Sequence, residues 1–551
     1  MQDRHFKVWP KGRPFELPAL KTSVFENLVL TAGRYPDHPA IIYYDAVQTY
    51  DELLAEVINL GAYLREELGV ERNDRVLLYM QNSPQFIISY YGILAANAVI
   101  VPVNPMCRTG ELEHIANDTE AVAIICGQEL AEHALPLLET TTLCTMIHAN
   151  YGDYTSTETD LDLPDEAQQN RKTFAGDKTL DWWDAIGFDG NVPEVLNRAD
   201  DWCVIPYSSG TTGQPKGCLH TNRTVNAVIS AYANWNPLPP NAAILATLPL
   251  FHVTGMQNSM NVPIFTGGTI VLMTRWDNDV AARLIERYRV VQWRAITAMI
   301  IDFISSPDVT AHDLSSLISV GAGGAQIPFA VAEKLGDLTG LKVTEGYGLT
   351  ETIAPSHLNP PDAPKLQCLG IPLFGVDSRV IDPETLDELG VGETGEIITH
   401  GPQVFLGYWR DDAATDQVFI ELDGKRFLRT GDLGYYDEDG YFFHVDRLKR
   451  MINVSGYKVW PAEVEAIMHE HPGVQEACVI ASPDARKGET VKALVVARGG
   501  AALDAGEIEA WCRGRMAAYK VPRLYEFVDA LPRSGSGKVE WRKLQELEKA
   551  L

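Results

Sequence analysis

The chain has 551 residues, with 74 acidic and 46 basic side chains and a formal net charge of −28. Its length predicts two or more domains, and its composition, 46% hydrophobic and 22% charged, is typical of a globular enzyme. The acidic balance argues against nucleic acid or an anionic membrane as the main partner. An anionic substrate must therefore meet a locally basic site.

The eight cysteines are scattered, with no CxxC pair and no metal-ligand spacing, which indicates reduced thiols in a cytoplasmic protein. The first residues carry no apolar run typical of a secretory signal. An uncharged, largely apolar stretch, residues 86–103, contains Asn97 and Pro102. We interpret it as a buried helix that runs into a buried strand, and we predict no transmembrane segment.

Short apolar strands and amphipathic helices alternate from Ala40 to about residue 125. Thr49 and Glu52 have the spacing of a capping box, which predicts a helix start. The apolar face predicted for this helix consists of Leu53, Leu54, Val57, Leu60 and Leu64. This alternation predicts an α/β sheet protein. Residues 150–195 are acidic and rich in Thr and Asp, and we expect a surface excursion there.

Residues 207–217 read YSSGTTGQPKG and follow an apolar run that predicts the end of a strand. Glycines allow the backbone to approach an anion, hydroxyls and amides can donate to phosphoryl oxygens, and Lys216 adds a positive charge. A Walker loop is excluded because Pro215 precedes the lysine and Gly217 follows it. We predict a phosphate loop of another kind, and the alternative is a flexible surface loop. The predicted phosphate-binding residues are Ser208, Ser209, Gly210, Thr211, Thr212, Gly213 and Lys216.

Three later segments add to this pattern. Residues 318–325, ISVGAGGA, predict a strand that ends in a glycine turn suited to a planar ligand, but the glycine spacing is not that of a dinucleotide fingerprint. In residues 346–351, GYGLTE, Tyr347 could stack on a base, Thr350 could bind a phosphoryl oxygen and Glu351 could bind Mg²⁺. Asp432 supplies a carboxylate suited to ribose hydroxyls.

In this order the segments resemble those of the adenylate-forming superfamily, which includes acyl-CoA synthetases, luciferases and peptide-synthetase adenylation domains. Residues 395–397 and 401–408 resemble its structural strand segments. Residues 446–465 resemble its hinge segment in the acyl-CoA synthetase form, with Asp446 and Arg450 as departures from the common pattern. Residues 532–538, PRSGSGK, match its terminal lysine loop. The resemblance therefore spans essentially the whole chain.

The resemblance implies an α/β fold with two parts. The first is a large, multi-subdomain N-terminal AMP-binding domain of mixed sheets and helices, at residues 1–446. The second is a small, mobile α+β C-terminal domain at residues 447–551, with the hinge near Lys449. The resemblance also implies ATP, Mg²⁺ and coenzyme A as substrates and cofactors, and no tightly bound prosthetic group. Some members pair through their N-terminal domains, which makes a homodimer one option.

The implied reaction joins a carboxylate to the α-phosphate of ATP, releasing pyrophosphate, and CoA then displaces AMP. By the family pattern, Lys538 bridges the carboxylate and the α-phosphate, Thr350 contacts the α-phosphate and Glu351 ligates Mg²⁺. Two larger sets follow from the same pattern. The adenosine contacts are Tyr347, Gly323, Gly324, Ala325, Asp432 and Arg447. After adenylation, a CoA channel is lined by Ser455, Gly456 and Tyr457.

His252 stands where peptide-synthetase domains carry the aspartate that binds an amino group, so an amino-acid substrate is not expected. We expect His252 in the active site, with a core histidine as the alternative. The predicted acyl pocket consists of Met256, Ala298, Met299 and Gly321, and we identify no cation there that would bind a second carboxylate. An aliphatic acid is favoured. The alternatives are an aryl-CoA ligase, a fatty acyl-AMP ligase that serves a carrier protein, and a catalytically inactive AMP-binding scaffold.

Overall fold

The structure is a computed structural model that describes residues 4–191, 194–208, 215–323, 326–454, 457–484, 488–500, 503–533 and 539–549. The chain divides into two compact units. The large unit comprises Gln2–Asp377 and Thr399–Leu428, and the small unit comprises Ser378–Ile398 and Arg429–Leu551. A functional domain boundary between residues 446 and 447 stays a prediction.

Among the described residues of the large unit, nine strands form a sheet that we call sheet A. In spatial order they are Ile371–Pro372, His357–Leu358, Thr344–Tyr347, Ser319–Gly323, Gln292–Ile296, Ala243–Ala246, Thr269–Leu272, Pro39–Tyr43 and Ala46–Thr49. The six strands from Thr344–Tyr347 to Pro39–Tyr43 are parallel. Their carboxyl ends therefore meet at one edge, where open α/β sheets bind ligands.

A second sheet of the large unit, sheet B, contains nine strands within the described ranges. Eight lie in the order Gly407–Tyr408, Lys216–Thr221, Trp202–Val204, Val99–Pro102, Arg75–Tyr79, Ala123–Gly127, Thr145–Ala149 and Thr179–Asp181, and Tyr207–Ser208 pairs with Lys216–Thr221. The surface excursion predicted at residues 150–195 is wrong in part. It supplies the edge strand Thr179–Asp181 and the fully buried rings of Tyr151 and Trp182, because these two aromatic residues pack inward.

The capping box predicted at Thr49 is confirmed. The Glu52 amide donates to the Thr49 hydroxyl at 3.3 Å, and the Thr49 amide donates to Glu52 Oε2 at 2.8 Å. This start fixes the helix Tyr50–Glu66. The predicted apolar face is buried at Leu53, Val57, Leu60 and Leu64, whereas Leu54 is only half-buried.

The uncharged stretch at residues 86–103 is a core element. Every residue of the helix Pro84–Ala95 is buried, and the strand Val99–Pro102 follows in sheet B. Across the described ranges, none of the helices combines the length and the apolar character needed to cross a bilayer. All eight cysteines are free thiols.

The remaining helices of the large unit belong to several classes. The α-helices are Val24–Arg34, Thr109–Thr119, Ala131–Ala134, Leu137–Thr140, Asp165–Gln168, Trp182–Ile186, Asn222–Trp235, Val253–Gly255, Val262–Thr266, Asn278–Arg287, Thr297–Ser305, Phe329–Thr339 and Asp412–Val418. The 3₁₀ turns are Arg4–Val8, Tyr151–Tyr154, Asp308–Ala311 and Thr350–Thr352, and Met256–Asn261 is a π-helix.

The small unit contains a sheet in the order Tyr457–Val459, Ile452–Val454, Gly488–Ala497 and Val474–Asp484, with Leu524–Phe527 parallel to Gly488–Ala497. Its α-helices are Pro461–His469, Ala505–Arg513 and Trp541–Lys549, with 3₁₀ turns Leu448–Arg450 and Arg498–Gly500. The other strands of residues 377–447 are Asp377–Ile381, Gly395–His400, Phe419–Leu422, Lys425–Tyr436 and Phe442–Arg447. The helices and strands of the small C-terminal part therefore confirm its predicted α+β character.

Candidate active site

The two ends of the predicted phosphate loop are held together by strand pairing in the large unit. Strands Tyr207–Ser208 and Lys216–Thr221 are antiparallel, with Ser208 opposite Lys216. The Ser208 hydroxyl donates to the Lys216 carbonyl oxygen at 3.4 Å. The pairing fixes where the loop leaves and rejoins sheet B. The other predicted phosphate ligands, Ser209, Gly210, Thr211, Thr212 and Gly213, lie outside the described residues.

The Lys216 ammonium contacts Tyr408, the last residue of strand Gly407–Tyr408, and Asp411, which follows that strand. Its Nζ lies 2.9 Å from Asp411 Oδ2 and 5.2 Å from the centre of the Tyr408 ring. Asp411 Oδ1 accepts a hydrogen bond from the Ala414 amide at 2.9 Å. The Ala414 bond and then the Lys216 bond lower the pKa of Asp411. One carboxylate therefore caps the helix Asp412–Val418 and positions the lysine.

Tyr408 also contacts the carboxylate that is predicted to bind Mg²⁺. Its hydroxyl donates to Glu351 Oε1 at 2.9 Å. Burial, followed by the negative charge of Glu351, raises the pKa of Tyr408, so the phenol stays protonated and remains a donor. Lys216, Asp411, Tyr408 and Glu351 thus form one connected group, which we call the polar cluster.

The backbone of Thr350 is fixed by a buried histidine. His220 Nε2 lies 2.8 Å from the Thr350 carbonyl oxygen, and because a carbonyl oxygen can only accept, Nε2 carries the proton. Burial lowers the pKa of His220 to about 4, so the imidazole is neutral at physiological pH. His220 belongs to strand Lys216–Thr221. The same strand therefore positions the phosphate-loop lysine and the Thr350 turn.

The residues predicted to contact adenine end two neighbouring strands of sheet A. Strands Ser319–Gly323 and Thr344–Tyr347 are parallel, with Gly323 opposite Gly346, and Tyr347 follows at the carboxyl edge. Among the described residues, a Cβ built on Gly323 would come within 4 Å of a single atom, the Gly346 carbonyl oxygen at 3.6 Å. The backbone at this edge is therefore open to a flat ligand. Gly324 and Ala325 lie outside the described residues.

His252 precedes the short helix Val253–Gly255 and is exposed, which rules out the core-histidine alternative. Its Nδ1 accepts a hydrogen bond from the Thr254 amide at 3.3 Å. Met256 is fully buried and begins the π-helix Met256–Asn261. Such π-helical turns occur frequently at functional sites.

The other predicted acyl-pocket residues lie on and beside strand Ser319–Gly323. Gly321 is buried, Met299 is half-buried and Ala298 is exposed. The Thr247 hydroxyl donates to the Met299 sulfur at 3.7 Å. The structure places a cation beside these residues that the sequence analysis did not identify, and whether it binds a second carboxylate stays a prediction. A buried arginine, Arg294, occupies the space above Gly321, and one of its nitrogens would be 1.7 Å from a Cβ at that glycine.

In the small unit, the two residues predicted to bind ribose contact each other. Asp432 lies directly opposite Arg447 on paired strands, and its Oδ1 is 2.7 Å from Arg447 Nε. His444 Nε2 lies 3.4 Å from the same oxygen. Asp432 is buried, whereas Arg447 is part-exposed. The carboxylate is thus held in a fixed orientation by a cation on the neighbouring strand.

The predicted hinge residue Lys449 is exposed within the turn Leu448–Arg450. The two departures on either side of it anchor this segment. Asp446 Oδ2 accepts from the Ala462 amide at 2.7 Å, and both terminal nitrogens of Arg450 donate to Glu465. These bonds attach the hinge segment to the helix Pro461–His469, within the small unit.

Tyr457, predicted to line the CoA channel, is 60% exposed and stacks on Tyr519 with ring centres 4.8 Å apart. An exposed pair of stacked rings offers a flat apolar surface. Ser455 and Gly456, from the same predicted turn, and the predicted catalytic Lys538 lie outside the described residues.

Four residues of this neighbourhood escape the sequence reasoning: His220, Arg294, Tyr408 and Asp411. Tyr408 ends a segment to which the sequence analysis assigns only a structural role. The aspartate three residues later, Asp411, is a sequence feature that could have indicated a polar site there. His220 and Arg294 lie within apolar strands and carry no motif, because their partners are distant in sequence.

A magnesium site built from protein ligands alone is not present in the part of the chain that the structure describes, since no three His, Cys, Asp or Glu side chains converge there. Mg²⁺ in nucleotide sites needs only one or two carboxylates, because substrate phosphates and water complete its shell. A single oriented carboxylate such as Glu351 fits that requirement.

Comparison with known proteins agrees with this arrangement. The family described as AMP-binding enzyme matches residues 29–409, and the family described as AMP-binding enzyme C-terminal domain matches residues 463–538. The chain is 33% identical to a long-chain-fatty-acid–CoA ligase of Bacillus subtilis over 98% of this chain and 97% of the relative. It is 34% identical to a feruloyl-CoA synthase of Amycolatopsis over 93% of this chain and 96% of the relative.

Solved structures share the fold over nearly the whole length. The crystal structure of ATP-bound MatB from Rhodopseudomonas palustris aligns with a TM-score of 0.84 and 27% identity, covering 96% of this chain and 99% of that one. An anthranilate CoA ligase, AuaEII, solved with anthranoyl-AMP, aligns with a TM-score of 0.81 and 26% identity, covering 97% and 99%. These matches confirm the predicted α/β fold with a large N-terminal and a small C-terminal part. The chain therefore belongs to the AMP-binding enzyme family, within the adenylate-forming acyl-CoA synthetase superfamily.

Proposed function

We propose that this AMP-forming acyl-CoA synthetase converts an aliphatic carboxylic acid to its CoA thioester. In the first half-reaction a carboxylate oxygen attacks the α-phosphorus of ATP, the bond from that phosphorus to the bridging oxygen breaks, and pyrophosphate leaves. In the second, the CoA sulfur attacks the acyl carbon, the bond to the AMP oxygen breaks, and the thiol proton is lost to solvent.

The observation that carries this proposal is the polar cluster of the large unit. It connects the phosphate-loop lysine, Lys216, through Asp411 and Tyr408 to the carboxylate of Glu351. A reaction between two anions requires charges that are positioned before the substrates arrive, because preorganised groups need no rearrangement in the transition state. The cluster is built in this way, with each charged group already held by a neighbour.

Glu351 would hold Mg²⁺, which when bound with ATP would neutralise charge on the phosphates. Tyr408 orients the carboxylate by donating to one of its oxygens, which would leave the other oxygen of Glu351 available to hold the ion. His220 fixes the carbonyl of Thr350, and this support of the backbone favours the proposed contact between the Thr350 hydroxyl and a phosphoryl oxygen.

The remaining roles rest on the resemblance of the sequence. Lys538 would bridge the carboxylate and the α-phosphate, and Asp432 with Arg447 would bind the ribose. After adenylation, the small domain would rotate near Lys449 and bring the turn at residues 455–457 to the CoA thiol. The pairing of Asp432 with Arg447 supports the ribose role, because it orients the carboxylate.

The substrate class is supported by the relatives. The long-chain-fatty-acid–CoA ligase is matched over nearly the full length, and the buried Met256 supplies an adaptable apolar wall. The feruloyl-CoA synthase, matched at similar identity, favours an aryl acid as the second candidate.

The test is pyrophosphate release with ATP and Mg²⁺ across straight-chain, branched and aryl acids, each with and without CoA. We expect sustained release only with CoA present, together with acyl-CoA formation, and the highest kcat/KM with an aliphatic acid. Release of about one equivalent that CoA does not stimulate would instead indicate an adenylate ligase that serves a carrier protein. An aryl acid that exceeds every aliphatic acid would select the second candidate.

A further inference from the structure

Arg294 is a buried cation that has no anionic partner among the residues that the structure describes. It lies on strand Gln292–Ile296 of sheet A and is 6% exposed. Its Nη1 donates to the Thr344 hydroxyl at 3.2 Å, and its guanidinium carbon lies 5.4 Å from the centre of the Tyr232 ring. Its Nε and Nη2 are buried and make no hydrogen bond within the described residues, where no carboxylate forms an ion pair with it either. Leaving such donors unpaired is costly.

Two other largely buried arginines of the chain are each paired with a glutamate. Arg379 is 3% exposed and its Nη1 lies 3.2 Å from Glu388 Oε2. Arg450, also largely buried, is paired with Glu465. Among the described residues, Arg294 contacts the Thr344 hydroxyl and the Tyr232 ring but no carboxylate, which suggests that its anion comes from outside the protein.

The sheet makes room for this side chain. Arg294, Gly321 and Thr344 lie opposite one another on three adjacent parallel strands. A Cβ at Gly321 would lie 1.7 Å from Arg294 Nη1 and 2.8 Å from Cζ, so only glycine admits the guanidinium at this position. The glycine of the middle strand is therefore explained by the arginine beside it.

A second unpaired donor lies on the same face of the same strand. Gln292 precedes Arg294 by two residues, and side chains two apart on a strand point to the same side. Gln292 is 1% exposed, and its buried Nε2 makes no hydrogen bond within the described ranges. Two adjacent unpaired donors indicate a site for an acceptor with several lone pairs.

Arg294 and Gln292 lie close to the proposed acyl pocket. Gly321 lies two residues before Gly323, the residue at the carboxyl edge of sheet A. Two strand residues span roughly 7 Å. The Arg294 guanidinium therefore lies below the edge at which the proposed adenylate would form, on the face of the strand that carries Gly321.

We infer that Arg294, assisted by Gln292, is the specificity-determining residue that binds a second carboxylate at the far end of a short aliphatic acid. This inference rests on the proposed function and deepens it by naming the substrate as a dicarboxylic acid. A carboxylate suits the guanidinium because it can accept two parallel N–H bonds. A methyl group at the same place would leave the buried donors unpaired, so a monocarboxylic acid of equal length should be rejected.

The experiment compares three dicarboxylic acids, succinate, glutarate and adipate, with butanoate, pentanoate and hexanoate. CoA-dependent pyrophosphate release is measured for the wild type, for Arg294→Met and for the surface control Arg289→Met, whose side chain is 58% exposed. Thermal stabilisation by each acid without ATP provides a readout that is independent of turnover.

For the wild type we expect one dicarboxylate to exceed its monocarboxylate partner in kcat/KM by about 10²-fold, mainly through KM. Arg294→Met should abolish this preference and the thermal stabilisation by the dicarboxylate, while Arg289→Met should keep both. The wild-type comparison decides the question even if Arg294→Met does not fold. Monocarboxylates that exceed their partners at every length would overturn the inference. Absence of CoA-dependent turnover with every acid, including the wider panel, would overturn the proposed function instead.

Discussion

Replacing His220 tests whether this buried histidine supports the Thr350 turn as a neutral donor. The imidazole is completely buried and donates through Nε2 to the Thr350 carbonyl oxygen at 2.8 Å. His220→Gln keeps an N–H donor of similar reach but cannot titrate. His220→Leu removes both the donor and the titration.

The magnitude follows from the pKa of His220, which burial lowers from 6.5 to about 4. The unfolded chain binds the proton more readily than the folded one, so stability falls as the pH decreases from 6.5 towards 4. At pH 5.0 this difference corresponds to a loss of about 2 kcal/mol relative to pH 7.5, from 1.36 kcal/mol per pKa unit. At pH 7.5 His220 is neutral in both states and costs nothing by this route.

The assay is equilibrium urea unfolding at pH 7.5 and pH 5.0, with the exposed His469 replaced by Gln as the control. His220→Gln should lose about 2 kcal/mol less than the wild type between the two pH values. His220→Leu should already lose about 1–3 kcal/mol at pH 7.5, because the Thr350 carbonyl is left unpaired. If His220→Gln loses as much stability on acidification as the wild type, the reasoning about the neutral imidazole is refuted.

Three further predictions concern the proposed adenylation chemistry. Tyr408→Phe removes the bond to Glu351 and should lower kcat/KM for MgATP by roughly 10-fold, from the usual strength of a hydrogen bond to a charged group, as measured by steady-state kinetics. Asp411→Asn retains a helix cap but removes the charge that positions the Lys216 ammonium, so the KM for ATP should rise, and Lys216→Met should raise it further. Lys538→Ala should slow adenylation by roughly 10²-fold or more, while thioester formation from supplied acyl-AMP survives in rapid-quench measurements.

Each of these predictions has an outcome that contradicts it. An unchanged kcat/KM in Tyr408→Phe would show that the hydroxyl does not orient the carboxylate. A lowered KM for ATP in Asp411→Asn, with unchanged thermal stability, would mean that the aspartate competes with ATP for the lysine rather than positioning it productively. Equal slowing of both half-reactions in Lys538→Ala would contradict the division of labour between them.

The fold could be predicted well where local signals are strong. The alternation of apolar strands and helices identifies the first strand of sheet A and three of the nine described strands of sheet B, and the capping box at Thr49 identifies the start of a helix between them. The edge strand Thr179–Asp181 could not be predicted, because its sequence is polar and only pairing with Thr145–Ala149 makes it a strand. Edge strands are stabilised by their neighbour rather than by their own composition.

The candidate site divides in the same way. Lys216, Thr350 and Glu351 lie in motifs whose residue types predict binding of phosphate and Mg²⁺. The roles of His220 and Arg294 can be recognised only from the structure, because their hydrogen-bond partners are 130 and 50 residues away in the sequence. Tertiary contacts of this kind leave no spacing for a sequence pattern to detect.

The glycine at position 321 illustrates the difference. In the sequence it is one of three glycines in a turn and suggests close approach of a planar ligand. In the structure it admits a guanidinium from the neighbouring strand, which is a packing reason as well as a functional one. A glycine at this position can therefore mean room for a ligand or room for a neighbouring side chain. The register of the strands shows that at position 321 the neighbour is Arg294.

The most direct test of the central claim follows oxygen atoms from the acid. An acid that supports turnover in the panel is labelled with ¹⁸O in its reacting carboxylate, and the products are analysed by mass spectrometry after one turnover with ATP and CoA. Attack of the carboxylate on the α-phosphorus predicts one ¹⁸O in AMP, one ¹⁸O in the thioester carbonyl and none in pyrophosphate. Label in inorganic phosphate, with ADP as the other product, would mean that the acid is activated at the γ-phosphate and would contradict the account.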